Sequence, residues 1–390
     1  MKKIVIAGGS AAGVNAAKSA KKTDPGCEVT LISKEQYPPY YRPYLTEYIG
    51  DRSVENRPNF YINSSEWYKE NNINLLLSTE VTKIVPDENK IIDSKGNNYL
   101  YDSLILANGS SPFVPVSSFL EEDFVFALRS FDDAKKVDEF ASNTKKATII
   151  GGGLLGLEAA WSLCRRNIEV TVIELADRLL PVQLDSEASN LIGSLISRHN
   201  VNILTSAMTD HIATGEDGKK YVFLKDGRQI ETDMVIMSIG VRANTGLAKE
   251  CSIKTDRGIV VDSKMRTSVK NIFACGDVAQ FDCMIPLWMP AVKQGIVAGT
   301  NAAGGDIEFT SDVYPAMFNA FEIKLFSIGD ISKQQKENEY SKSDGTVYRK
   351  LFFKNDRLSG AILINDPAKS STLINGVKKA VCKEDAVKMI

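Results

Sequence analysis

Two glycine-rich loops are the parts of this 390-residue chain best suited to chemistry. The first runs Gly8-x-Ser10-x-x-Gly13, with Gly9, Ala11 and Ala12 filling the gaps. The second runs Gly151-x-Gly153-x-x-Gly156 and includes Leu155. Small residues at a strand-to-helix turn let backbone amides close around a pyrophosphate. An acid about 20 residues beyond such a loop holds the hydroxyls of an adenosine ribose. After the second loop that acid is Glu174. A carboxylate there accepts from the 2′-hydroxyl and repels a 2′-phosphate, which favours NADH over NADPH. The nearby Arg178 could soften the preference, although it reads first as a solvated or helix-capping charge. After the first loop the corresponding residue is Ser33, followed by Lys34 and Glu35. That loop therefore departs twice from the usual pattern, at Ser10 and at Ser33.

Each loop needs a strand before it and a helix after it. "KKIVIAGG" and "KATIIGGG" supply the strands, and "CEVTLIS" and "EVTVIE" the next strands, so the chain reads as an internal duplication of nucleotide folds. A chain of this length exceeds one hydrophobic core, and two or three domains are expected. Apolar and charged fractions of 43% and 25% are those of an ordinary globular protein. A net charge of −2 argues against a general nucleic-acid or membrane-surface role. No apolar run approaches the roughly 20 residues that span a bilayer. The start "MKKIVIAGG" goes straight into a glycine loop and reads as a strand, not a signal peptide, so a cytoplasmic location is expected. The six cysteines form no C-x-x-C pair, and His199 and His211 have no partnered spacing. No metal site is expected, and the cysteines read as thiols in a reducing compartment.

A third motif, Gly276-Asp277 in "IFACGDVAQF", follows both loops, and "LILANGSSP" precedes the second. In this order the motifs resemble the flavoprotein family of pyridine-nucleotide oxidoreductases, from residue 1 to about residue 330. The resemblance implies FAD at the first loop and NADH at the second. It implies an α/β fold of two Rossmann-like domains, with the NAD domain (112–241) inserted into the FAD domain (1–111 and 242–310). Gly276 would let the chain approach FAD, and Asp277 would accept from a ribityl hydroxyl. Ala107 and Gly109 match the middle motif, with Asn108 in place of the usual threonine. The resemblance also places Ser33, Lys34 and Val81 at the FAD, and Gly240, in "SIGVRAN", at the NAD domain's closing turn. Trp288 and Met289 begin a helix whose first amides would lie near the flavin, where they could stabilise negative charge. Core packing for Trp288 stands equally. Glu158 is where relatives place an acid near the nicotinamide amide, and it also fits a plain early-helix acid favoured by the helix dipole.

The electron acceptor is the open question. Thiol-relay members of the family need a cysteine beside the flavin, and none occurs from residue 28 to residue 163. Cys275 lies in the Gly-Asp motif, whose job is backbone contact. In the stretch "YPPYYRPYLTEYIG", Arg42-Pro43-Tyr44-Leu45-Thr46 matches the Arg-Pro-x-Leu-Ser/Thr run that lines the flavin in NADH:rubredoxin reductases. Ferredoxin reductases and the flavoprotein domains of assimilatory nitrite reductases are similar more loosely. The former often follow with lysine, where this chain has Glu47. Arg42 is expected to contact the FAD phosphates or adenine, or else to pack on the tyrosines by cation–π contact.

Residues 311–390 read as a small α+β domain, with strands in "YRKLFFKNDRLSGAILIND" turning at Asn-Asp. Between 340 and 380, eight Lys and Arg face three Asp. This is either a solvated surface or a docking face for an acidic protein, with Lys350, Lys354 and Arg357 as its candidate charges. The resemblance implies an enzyme that oxidises NADH through FAD and reduces a small iron–sulfur carrier, rubredoxin, in support of oxygen and peroxide detoxification. A monomer is expected because the last domain is short for a dimerising one. No protein side chain is expected to act as a catalytic group in hydride transfer. The alternatives are a ferredoxin reductase, an NADH oxidase that uses oxygen directly, and an NADH-binding redox sensor without turnover.

Overall fold

The computed structural model describes residues 1–115, 119, 121–331 and 339–390. The chain forms two compact units. The first contains Met1–Arg42, Glu55–Ser111 and Val241–Ser311, and the second Pro43–Val54, Pro112–Gly240 and Asp312–Ile390. Among the described residues no helix is long and apolar enough to cross a membrane.

The first unit is built on a parallel sheet of five strands. In spatial order these are Ile272–Ala274, Ser103–Leu106, Lys3–Ala7, Glu28–Ile32 and Ile73–Leu76. Both faces are covered, so the strands read as continuous apolar runs such as KIVIA and SLIL. Helices Ala11–Thr23 and Trp288–Ala302 cross so closely that backbone touches backbone. A Cβ on Gly295 would stand 2.2 Å from the Ala12 carbonyl oxygen, and one on Gly299 2.1 Å from that of Ala16. Any side chain at either position would force the two helices apart.

The second unit repeats the plan. Its parallel strands run Val201–Leu204, Glu169–Ile173, Lys146–Ile150, Met234–Met237 and Val125–Ala127. The strand preceding a glycine loop is the middle one of five in both sheets. In each, the next strand in the chain lies on one side of it and the strand that returns later lies on the other. The duplication predicted from the two loops is thus present in the topology. Both sheets also carry a three-stranded antiparallel meander as an excursion, Val81–Leu100 in one unit and Thr209–Glu231 in the other.

The last residues of the second unit form a five-stranded antiparallel sheet ordered Ala316–Ala320, Ile323–Gly329, Arg357–Ile364, Tyr348–Lys354, Glu339–Ser343. Helices Ser370–Lys378 and Lys383–Val387 complete the α+β domain. The predicted turn is present: Asn355 and Asp356 both take left-handed φ, 51° and 55°, as a two-residue hairpin requires. Phe353, Leu358 and Leu373 fill its core.

The same sheet corrects one expectation. Lys350 is not a docking charge. It is 8% exposed, with its ammonium 2.6 Å from Asp185 and 2.8 Å from Glu339. Tyr348, two residues earlier on the same face, shares its one hydroxyl proton between Glu187 at 3.1 Å and Asp185 at 3.2 Å. The strand's alternation sends Tyr348 and Lys350 inward, and a lysine sent inward must be paired. Lys354 and Arg357, at the hairpin tip, are exposed.

Candidate functional site

In the first unit the loop's glycines are demanded by its backbone. Gly8 takes φ +124°, and a Cβ there would lie 2.1 Å from the Ala107 carbonyl oxygen. A Cβ on Gly13 would lie 1.9 Å from the Gly8 carbonyl oxygen, and one on Gly9 2.6 Å from Ser33. The loop is therefore pressed between the Ala107 strand end and Ser33. Ala11 and Ala12 open the helix that follows, and their amides have no side-chain cap within it. Ser10 precedes that helix without capping it, and instead accepts from Arg42 Nε at 3.0 Å.

Gly276 and Asp277 come to the same place. Gly276 takes φ +76°, and a Cβ there would stand 2.8 Å from the Cβ of Ala12. Its N–H donates to the buried Gln294 at 2.8 Å, and Asp277 accepts from the Ser110 hydroxyl at 3.0 Å. The loop, the Gly-Asp motif, Ser33, Ala107 and Arg42 thus converge. Small residues and unclaimed helix-start amides suit the pyrophosphate of a dinucleotide at this cradle. Asn108, the departure in the middle motif, exchanges amide bonds with Asn244: each side chain donates to the other's backbone carbonyl at 2.8 Å.

Of the neighbours expected for Arg42, the structure shows the tyrosine contact, and it adds an acid. Its guanidinium lies 5.3 Å from the Tyr40 ring and is ion-paired with Glu35. Tyr40 also donates to Glu35 at 2.5 Å. Lys34 points elsewhere, 3.0 Å from Glu80, and Val81 lies buried beside that glutamate. Gly109 takes φ +65° after the middle motif. Trp288 opens its helix in edge contact with Tyr41, at 4.6 Å between ring centres, while Met289 is exposed.

In the second unit the loop is a close copy of the first. Gly151 has φ +116°, with a virtual Cβ 2.2 Å from the Ser238 carbonyl oxygen, and the Gly156 Cβ would stand 2.1 Å from the Gly151 carbonyl oxygen. At Gly153 a Cβ would meet nothing within 4 Å. This glycine faces open space at the start of helix Leu154–Cys164, where Leu155 is exposed and no side chain caps the end. Glu174 accepts the Gly152 N–H at 2.6 Å and the Ala176 N–H at 2.7 Å. Arg178 is occupied by Asp177 and by the carbonyls of Pro181 and Leu184. Gly240, with φ +102°, gives its carbonyl to the Phe113 N–H at 2.9 Å.

Glu158 lies on that helix, and Thr46 donates to its Oε2 at 3.1 Å. Burial pushes the Glu158 carboxyl up to about 7, helped by the nearby Glu47 and opposed by the Thr46 hydrogen bond. The buried Cys275 and the half-buried Cys164 are shifted away from reactivity. Burial raises Cys275 to about 12 and Cys164 to about 11, so neither is a thiolate at neutral pH.

The pyridine nucleotide-disulphide oxidoreductase family model matches residues 2–295. This chain belongs to that family. A second model, the Rubredoxin NAD+ reductase C-terminal domain, matches residues 316–381. The NADH-rubredoxin oxidoreductase of Clostridium acetobutylicum is 32% identical over 382 residues, covering 97% of this chain and 94% of that protein. The nitrite reductase of Bacillus subtilis is 30% identical over 97% of this chain, but the chain spans only 47% of its length. The crystal structure of NADH:rubredoxin oxidoreductase from Clostridium acetobutylicum superposes with a TM-score of 0.80 at 30% identity, over 98% of this chain and 96% of that one.

Several of this family member's site-building residues escaped the sequence reading. Glu35 takes Tyr40 and Arg42 from the loop that follows it, and Gln294 takes the Gly276 N–H from a separate element; no motif spacing announces either. Gly295 and Gly299 had a signal, two small residues four apart on one helix, which is the spacing of close helix contact.

Proposed function

We propose that this chain is a flavoprotein that oxidises NADH and passes electrons singly to a small iron–sulfur carrier, rubredoxin. Ser10–Gly13, Ser33, Arg42, Ala107, Gly276 and Asp277 would hold FAD in the first unit. When bound, FAD supplies the change from two-electron hydride chemistry to one-electron transfer. Gly151–Gly156 and Glu174 would hold NADH in the second. There the helix-start amides take its pyrophosphate, and Glu174, already fixed by two backbone N–H groups, keeps lone pairs for the ribose diol. The domains expected at 1–111 with 242–310, 112–241 and 311–390 are part of the same proposal.

The observation that carries the choice of acceptor is what helix Tyr44–Gly50 offers. It presents the hydroxyl of Thr46 to Glu158, in a segment where relatives that relay electrons through sulfur would need a thiol. The match of residues 316–381 to a rubredoxin reductase domain supports the same reading. A monomer in a cytoplasmic, reducing compartment suits the short last domain and six unpaired thiols.

The test begins with the purified protein. It should carry one FAD per chain, and NADH should bleach the flavin anaerobically far faster than NADPH. Catalytic NADH should then reduce added rubredoxin. Bleaching by NADH without reduction of rubredoxin or ferredoxin would overturn the choice of carrier.

A further inference from the structure

Thr46 and Glu158 form a hydroxyl–carboxyl couple with a built-in alternative. Thr46 Oγ1 stands 3.1 Å from Glu158 Oε2 and 3.4 Å from the carbonyl oxygen of Pro43. A threonine hydroxyl has one proton and two lone pairs. When Glu158 is ionised, the hydroxyl donates to it. When Glu158 is protonated, the carboxyl donates and the hydroxyl turns its own proton to Pro43. Rotation of one hydroxyl satisfies both charge states, which a cation in this place would not do.

The surroundings leave the carboxyl free to change state. Among the described residues, the elements packed most heavily on its helix are the helix Tyr44–Gly50 and the strands Lys146–Ile150, Glu169–Ile173 and Ala316–Ala320. Among the described residues only the first brings an ionisable group to bear on Glu158, the like-charged Glu47. Among the described residues, Thr46 is the one hydrogen-bond donor to it. Burial with no compensating cation brings its proton affinity to about neutrality. Glu158 is also two residues beyond Gly156, at the carboxyl end of the parallel strands, where a dinucleotide lies in this architecture.

We propose that the Thr46–Glu158 pair is a proton switch that makes the relative affinity for NAD+ and NADH depend on pH, an inference that rests on the NADH reading above. The nicotinamide of NAD+ carries a positive charge that NADH lacks. A carboxylate in a poorly solvated site favours the charged ring, and a neutral carboxyl does not. Rising pH then strengthens product binding relative to substrate binding, and NAD+ binding in turn expels the Glu158 proton to solvent. Thr46 is a positioning residue in this scheme. Its hydrogen bond favours the ionised form, and so keeps the midpoint from climbing further.

The test titrates oxidised holoenzyme with NAD+ and with tetrahydro-NAD, an uncharged analogue that transfers no hydride, across neutral pH. In the wild type the affinity ratio should rise by about tenfold in favour of NAD+ as Glu158 ionises. In Glu158→Gln the ratio should be flat. In Thr46→Val the midpoint should move to higher pH, and in Thr46→Ser it should stay. A flat wild-type ratio with both ligands bound, or an unchanged rise in Glu158→Gln, would overturn the switch and leave the NADH reading standing. Failure of both ligands to bind the wild type would overturn the NADH reading and the switch with it.

Discussion

The carboxylate of Glu174 accepts the Gly152 N–H at 2.6 Å, so the acid that follows the second loop also shapes it. One residue thus fixes the loop and presents oxygens to a ribose. Glu174→Ala removes both roles. It should lower kcat/KM for NADH by roughly tenfold to a hundredfold, the worth of one or two charge-assisted hydrogen bonds. NADPH should lose less, because repulsion of its 2′-phosphate disappears with the acid. Steady-state kinetics with both nucleotides check this, and an unchanged preference would contradict it.

Gly8 and Gly153 separate conformational need from ligand need. Gly8→Ala places a methyl 2.1 Å from the Ala107 carbonyl oxygen at φ +124°. Its loop cannot close as it stands, and the purified variant should contain well under one FAD per chain. Gly153→Ala meets no protein atom within 4 Å. That variant should keep its Tm and its flavin but raise KM for NADH, because the methyl would occupy space that a pyrophosphate needs. The flavin-to-protein ratio, thermal melts and KM together check the pair.

Lys350 predicts a stability effect where charge counting had suggested a binding one. Lys350→Met leaves Asp185 and Glu339 without their shared cation, both facing a poorly solvated site. Loss of one partner from a buried ionic cluster typically costs about 3–5 kcal/mol. The exposed Lys354, changed to Glu, should stay within about 0.5 kcal/mol of wild type. Denaturant melts followed through the second unit's tryptophan, Trp161, measure both.

Glu158 makes stability fall with rising pH. Its folded carboxyl titrates at about 7, above the ordinary carboxyl value of 4.5. Between those values the folded state holds a proton that the unfolded state has released, so each rise in pH favours unfolding. Ionised Glu158 therefore costs up to about 3 kcal/mol above neutral pH and nothing at mildly acid pH. Glu158→Gln should melt higher than wild type at about pH 8 and equally at about pH 4.5, as paired Tm measurements would show.

The two cradles were legible in the sequence because a glycine loop is a local requirement. Gly8, Gly13, Gly151 and Gly156 are forced by backbone contacts inside or next to a single strand-turn-helix, and the spacing reports them. The partners that complete the cradles lie outside the loops, from seven residues away (Arg42–Glu35) to 136 (Asn108–Asn244). Arg42 reaches Ser10 and Glu35, Gln294 takes the Gly276 N–H, and Asn108 exchanges bonds with Asn244. Nothing local encodes those pairings. Lys350 misled for a related reason. A count of charges along a strand does not say which side chains the register turns inward, and the inward one had found two acids.

The most direct test of the account is single-turnover reoxidation. The enzyme is reduced anaerobically with one equivalent of NADH and mixed, in separate shots, with oxidised rubredoxin and with oxygen. Flavin reoxidation by rubredoxin should be fast, with two carriers reduced per flavin, and reoxidation by oxygen slow. Fast reoxidation by oxygen with rubredoxin left oxidised would contradict it.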